Sequence, residues 1–161
     1  MAHTLRELLT GRLATVRLDL DEALDHAEGI DLEWAPAEGM RTLGGQILEI
    51  AATEDQFLQN LRTGSTEPYA ETEARLQRAN LAEYRQVLRE VREATLEYLN
   101  SSSEEDLEAE MAIPEGWWEG LGLPSVPRAE IVRSLAAHEW YHTGQIVSYL
   151  WFAGRNPYEW D

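Results

Sequence analysis

Apolar residues recur at intervals of three and four from the beginning of the chain: Leu9, Leu13, Val16, Leu20, Leu24 and Ala27. That spacing lines one face of an α-helix and predicts a first helix from about Thr4 to Glu28. The stretch from Gly29 to Met40 carries Gly29, Pro36 and Gly39, so it reads as a connection, held down by Ile30, Leu32 and Trp34. Thr42 can cap a second helix, whose stripe of Leu43, Ile47, Ile50, Phe57 and Leu61 ends near Gly64.

A third helical pattern runs from Glu71 to Asn100, in one piece or two, with Leu81, Tyr84, Leu88, Val91, Thr95 and Tyr98 on one face. Ser101 to Ser103, followed by Glu104 and Glu105, ends it and can cap one short turn. The next segment contains Pro114, Gly116, Trp117, Trp118, Pro124 and Pro127, which forbid a long helix; its aromatics suggest a packed lid. Pro127 suits the first turn of a last helix that continues to about Ala153, ahead of Gly154 and Pro157. No run alternates with period two for long enough to predict a strand. The expected fold is all-α: an antiparallel four-helix bundle with a long loop before the last helix, which serves as a long final crossover.

The length of 161 residues and 43% hydrophobic content fit one domain over residues 1–161. A net charge of -17 opposes binding to nucleic-acid phosphates and to anionic membrane surfaces. Every basic residue is Arg, which excludes a Schiff-base lysine and a lysine phosphate loop. With no Cys there is no disulfide, thiolate nucleophile or thiolate ligand, so any metal must sit on His and carboxylate. The first residues lack the apolar run of a signal peptide, and no segment approaches the roughly 20 apolar residues that span a bilayer. A cytoplasmic location is the resulting expectation.

The last helix aligns Ile131, Leu135, His138, His142, Ile146 and Tyr149 along one stripe, which turns both histidines toward the core. Imidazoles four residues apart on a helix have Cβ atoms about 5–6 Å apart and can reach one ion. The competing structural reading is a pair of core histidines hydrogen-bonded to their neighbours. His138-Glu139-Trp140-Tyr141-His142 also spells H-E-x-x-H, in which Glu139 would activate a water in a zinc protease. The metzincin continuation is missing, because Gln145 and Ser148 stand where Gly and a third His belong. Glu159, the only later Glu, has no helix left to hold it, and the chain shows no strand edge for an extended peptide. Glu139 is therefore read as turned away from the histidine stripe, toward a neighbouring helix or solvent. His3 and His26 need no function, and Trp117, Trp118, Trp140 and Trp151 are read as core.

From Ile113 onward the chain resembles the final third of DinB-like bundle proteins, with H-x-x-x-H-x-G-Q at His138, His142, Gly144 and Gln145. A closing Y-L-x-x-x-G-x-x-P follows, at Tyr149, Leu150, Gly154 and Pro157. Upstream, TLGGQILEIAATE resembles the family's second helix, where a His usually stands five residues before an acidic residue. Counting back from Glu54 places Glu49 at that position. The resemblance thus implies a divalent metal on Glu49, His138 and His142: zinc first, with nickel, iron or manganese as alternatives. On the helical wheel Gln46 and Glu54 lie nearer the apolar stripe than Glu49, as a third ligand or a supporting partner.

The resemblance also implies a metal-dependent enzyme on a small-molecule substrate, of the thiol-dependent S-transferase or hydrolase type. A low-molecular-weight thiol would be the cosubstrate, and related bundles suggest a homodimer. The alternative is a noncatalytic metal-binding protein of stress response or interaction. Catalytic residues beyond the metal ligands are not assigned by the sequence.

Overall fold

Thr4 starts the first helix as a capping box: its hydroxyl accepts from the Glu7 N–H while the Glu7 carboxylate accepts from the Thr4 N–H. The computed structural model describes residues 3–114, 116–117 and 122–160. The first helix is α1 (Leu5–Asp25), and α2 (Leu43–Thr63) begins at Thr42, whose hydroxyl accepts from the Gly45 N–H. Between them the chain folds back onto α2. Leu43 and Gly44 donate to the carbonyls of Trp34 and Leu32, at 2.9 and 2.8 Å. A Cβ on Gly44 would lie 3.1 Å from the Leu32 carbonyl oxygen, so a residue without a side chain permits this approach.

The third pattern divides into α3 (Tyr69–Leu76) and α4 (Leu81–Ser101). The division falls before Asn80, whose side chain accepts from the Glu83 N–H and caps a new helix. Ser103 and Asp106 form a second capping box on α5 (Glu104–Glu108). The expectation of no strand is corrected: β1 (Glu110–Ala112) pairs antiparallel with β2 (Ser125–Pro127), Met111 opposite Val126. Three residues cannot display an alternation, and the pairing is created when the two ends of the loop meet. Arg128 opens α6 (Arg128–Phe152), and a 3-10 turn (Pro157–Glu159) follows it.

Helix directions follow from two core clusters. Leu20, Leu24, Leu43, Ile47, Leu88 and Ile146 belong to one, whereas Leu9, Leu13, Phe57, Leu61, Leu99 and Leu135 belong to the other. Hence α1 and α6 run the same way, and α2 and α4 run opposite to both, an up-down-down-up bundle. Consecutive partners α1/α2 and α4/α6 are antiparallel, as the sequence predicts. The long return of the chain, however, is the α2–α4 connection carrying α3. The last connection joins the α4 end to the α6 start within the second cluster, which corrects the expected final crossover.

Two tryptophans expected in the core are exposed, Trp140 at 61% and Trp151 at 52%. Trp140 sits two residues from His138 and Trp151 nine from His142, about half a helical turn round in each case, and so both point away from the bundle axis. Trp118 lies outside the described residues. Trp117 stacks on Phe57 at 4.4 Å between ring centres and joins the second cluster. The described part of the expected lid is therefore anchored eight residues along α2 from Glu49.

Candidate metal centre

Glu49 on α2 and His138 and His142 on α6 meet where those helices pack together. Each offers one ligand atom, and the three atoms lie within 4.8 Å of one another. The imidazole centres of His138 and His142 are 4.4 Å apart, and Nε2 of His138 is 3.9 Å from Glu49 Oε1. That separation is too long for a hydrogen bond. A tetrahedral ion with bonds of about 2.0–2.2 Å requires ligand atoms roughly 3.3–3.6 Å apart, a difference that side-chain rotation can close.

The hydrogen bonds around His142 determine which of its nitrogens is free. The Arg41 carbonyl can only accept, so the Tyr149 hydroxyl donates to it at 2.8 Å. The Tyr149 oxygen then accepts from the Gln46 amide nitrogen at 3.0 Å. This turns Gln46 Oε1 toward His142 Nδ1, 2.7 Å away, which must carry the proton. The lone pair is left on Nε2. Burial first, then the neighbouring His138, lowers the His142 pKa from 6.5 to about 4, so this imidazole is neutral near pH 7. A neutral imidazole with its second nitrogen anchored is the form that binds a metal.

The two oxygens of Glu49 face different partners. Oε2 accepts from the Tyr69 hydroxyl at 2.7 Å and from Arg41 Nη1, whereas Oε1 faces His138. Burial pushes the Glu49 carboxyl up, but His138, Tyr69 and Arg41 outweigh it and hold the pKa at about 2. Burial and the Glu49 charge raise the Tyr69 phenol. His138 Nδ1 is buried with no hydrogen-bond partner among the described residues. Two imidazoles and one ionised carboxylate fit a divalent ion.

Sequence reasoning brought these three residues forward and left the parts of Gln46 and Glu54 open. Gln46 supports His142 and offers no oxygen to spare. Glu54, fully buried, accepts from Arg17 and Arg92 and takes no part in the triad. Glu139 is equally buried and accepts from the same two arginines. Arg41, Tyr69 and Tyr149 were missed as members of the site. Tyr149 lay on the histidine stripe and carried a signal, whereas Arg41 and Tyr69 reach the site only through the fold.

A family model described as the DinB superfamily matches residues 12–146. The chain belongs to the DinB superfamily. No curated protein matches it. A solved structure, a mutant of the mycothiol-dependent maleylpyruvate isomerase, superposes with a TM-score of 0.57 at 18% identity, over 90% of this chain and 63% of that one. This DinB-superfamily chain therefore spans less than two thirds of the length of that neighbour, and the likeness shows a shared fold.

A groove of about 790 Å³ lies away from the triad. It runs between α1 and α6, lined by Leu8, Gly11, Val16, Ala136, Ala137 and Trp140. No described helix is long and apolar enough to cross a membrane.

Proposed function

We propose that the protein is a divalent-metal-dependent enzyme acting on a small molecule, by thiol-dependent S-transfer or by hydrolysis, with the ion held by Glu49, His138 and His142. The observation that carries this reading is the His142–Gln46–Tyr149–Arg41 chain, which presents an unprotonated Nε2 beside a second imidazole and a carboxylate. A bound divalent ion supplies Lewis acidity that favours the deprotonated form of a thiol or a water at neutral pH. The chain contributes the rest: Gln46 fixes the His142 tautomer, and Tyr69 and Arg41 hold Glu49 ionised and oriented. The solved neighbour is named as mycothiol-dependent, which supports the thiol as cosubstrate.

Elemental analysis of protein purified without chelator tests the reading, with about one zinc, nickel, iron or manganese ion per chain expected. A thiol-cosubstrate screen on the loaded protein then tests catalysis. Absence of metal, and no uptake when zinc or nickel is supplied, overturns it.

A noncatalytic metal-binding role, in stress response or interaction, is the second reading. The groove between α1 and α6 favours it, because Glu49, His138 and His142 are not among the residues that line it. Metal retention without turnover of any thiol or hydrolysable substrate would select it. In either case we propose a cytoplasmic homodimer. Light scattering at low micromolar concentration should give twice 18.3 kDa, and a monomer mass refutes the dimer.

The protease reading is disfavoured, since both oxygens of Glu139 accept from arginines within the bundle. Glu139→Gln should leave metal content unchanged, while a hydrolytic base contributes about 10²–10⁴-fold to rate. Loss of peptide cleavage with metal retained would restore the protease reading.

A further inference from the structure

We propose that Arg41 is an anion anchor of this site, so that the small molecule it accepts carries a carboxylate beside the thiol or hydroxyl that meets the ion. The inference rests on the reading of Glu49, His138 and His142 as metal ligands and adds the substrate class.

The fold fixes this position just ahead of the Thr42 cap of α2. A Cβ on Gly45 would lie 2.7 Å from Arg41 Cγ, so the arginine stem lies across the helix where a side chain would otherwise stand. Its carbonyl is fixed by the Tyr149 hydroxyl, at the end of the chain of hydrogen bonds that orients His142. Its guanidinium contacts Glu49, whose other oxygen faces His138. Residue 41 is thus tied to the His142 side of the triad through its backbone and to the Glu49 side through its side chain.

The guanidinium is also incompletely engaged. Arg17 and Arg92 each use all three of their nitrogens in the bundle interior. Arg41 donates only from Nη1, and its side chain is 43% exposed. The remaining donors form the planar fork that matches a carboxylate. Charge points the same way. Two neutral imidazoles, the Glu49 carboxylate and a divalent ion leave one positive charge, and Arg41 makes it two. Glu73, the other acidic group acting on Arg41, removes one. A surplus of positive charge remains beside the triad, in a chain whose net charge is -17.

The test uses the zinc-loaded full chain, titrated calorimetrically with mercaptoacetate, its methyl ester and 2-mercaptoethanol at fixed ionic strength. The wild type should bind the acid about 10–100-fold more tightly than the ester, the range expected of a charge-assisted contact. In Arg41→Gln that preference should shrink to within about threefold. Arg41→Lys, which keeps the charge and loses the fork, should fall between them. Ligand affinities are compared at saturating zinc, because loss of the Arg41 contact to Glu49 lowers zinc affinity as well.

Equal binding of acid and ester by the wild type overturns the anchor, as does a preference that survives in Arg41→Gln. A wild-type chain that takes up no zinc overturns the metal reading and this one together, whereas zinc uptake without discrimination overturns the anchor alone.

Discussion

Two charged clusters share helices α2 and α6, and they differ in how completely their polar atoms are engaged. Glu54 and Glu139 meet Arg17 and Arg92, one residue from each of α1, α2, α4 and α6, between the two apolar clusters of the bundle. Charges cancel there, and the remaining arginine donors reach the carbonyls of Leu13 and Leu88. The triad of Glu49, His138 and His142 has the opposite character. Gln46, Tyr69 and Arg41 support two of its members, but Glu49 Oε1 and His138 Nε2 stand 3.9 Å apart, and His138 Nδ1 has no hydrogen-bond partner among the described residues. The H-E-x-x-H stretch is therefore divided by helical geometry: both histidines turn toward the open cluster, and Glu139, about 100° away, turns into the closed one.

The contrast breaks first at the triad. His142→Ala should abolish metal uptake measured by elemental analysis, while His26→Ala, stacked on Trp160 at 4.2 Å, should leave it intact. Equal uptake by both variants would mean the triad is as closed as the quartet. At the quartet, Arg92→Leu should cost about 3–5 kcal/mol in urea unfolding, because two buried carboxylates would share one remaining arginine. Replacing all four residues together with apolar side chains of similar volume should recover most of that loss. A cost below about 1 kcal/mol for Arg92→Leu would contradict a tightly closed cluster.

Gln46→Leu sharpens the comparison by removing support without removing a ligand. Metal affinity should fall about 10–100-fold while the chain stays folded. An unchanged affinity would show that the tautomer of His142 is not set by this chain of bonds. The smallest effect concerns pH in the metal-free protein. With its pKa lowered from 6.5 to about 4, folded His142 binds a proton less readily than the unfolded chain does. Its contribution to stability is therefore fully present above about pH 6.5 and is lost as pH falls toward 4. NMR titration of the imidazole should place the midpoint near 4, and a midpoint near 6.5 would refute the burial argument.

Much of the fold was legible because its signals are local. Thr4, Thr42 and Ser103 cap helices where the sequence predicted their starts, and the stripes from Leu9 to Leu24 and from Ile131 to Tyr149 are buried as spacing requires, with His138 half-buried. The paired strands and the mid-chain crossover were not legible, because both depend on which distant ends meet. Trp140 and Trp151 were read as core on residue type, although their angle from the histidines already placed them outside.

The sequence by itself determined the helices and the inward face shared by His138 and His142, since both follow from the period of one helix. Resemblance to relatives, through the interval from Glu54, singled out Glu49. Only the tertiary structure decided what each polar group would face. Glu49, Glu54 and Glu139 are chemically alike as carboxylates, yet one retains an oxygen turned toward two imidazoles and the others are enclosed by arginines. The difference arises because a carboxylate takes its role from partners that lie tens of residues away in the chain, and those partners are fixed only when all four helices pack.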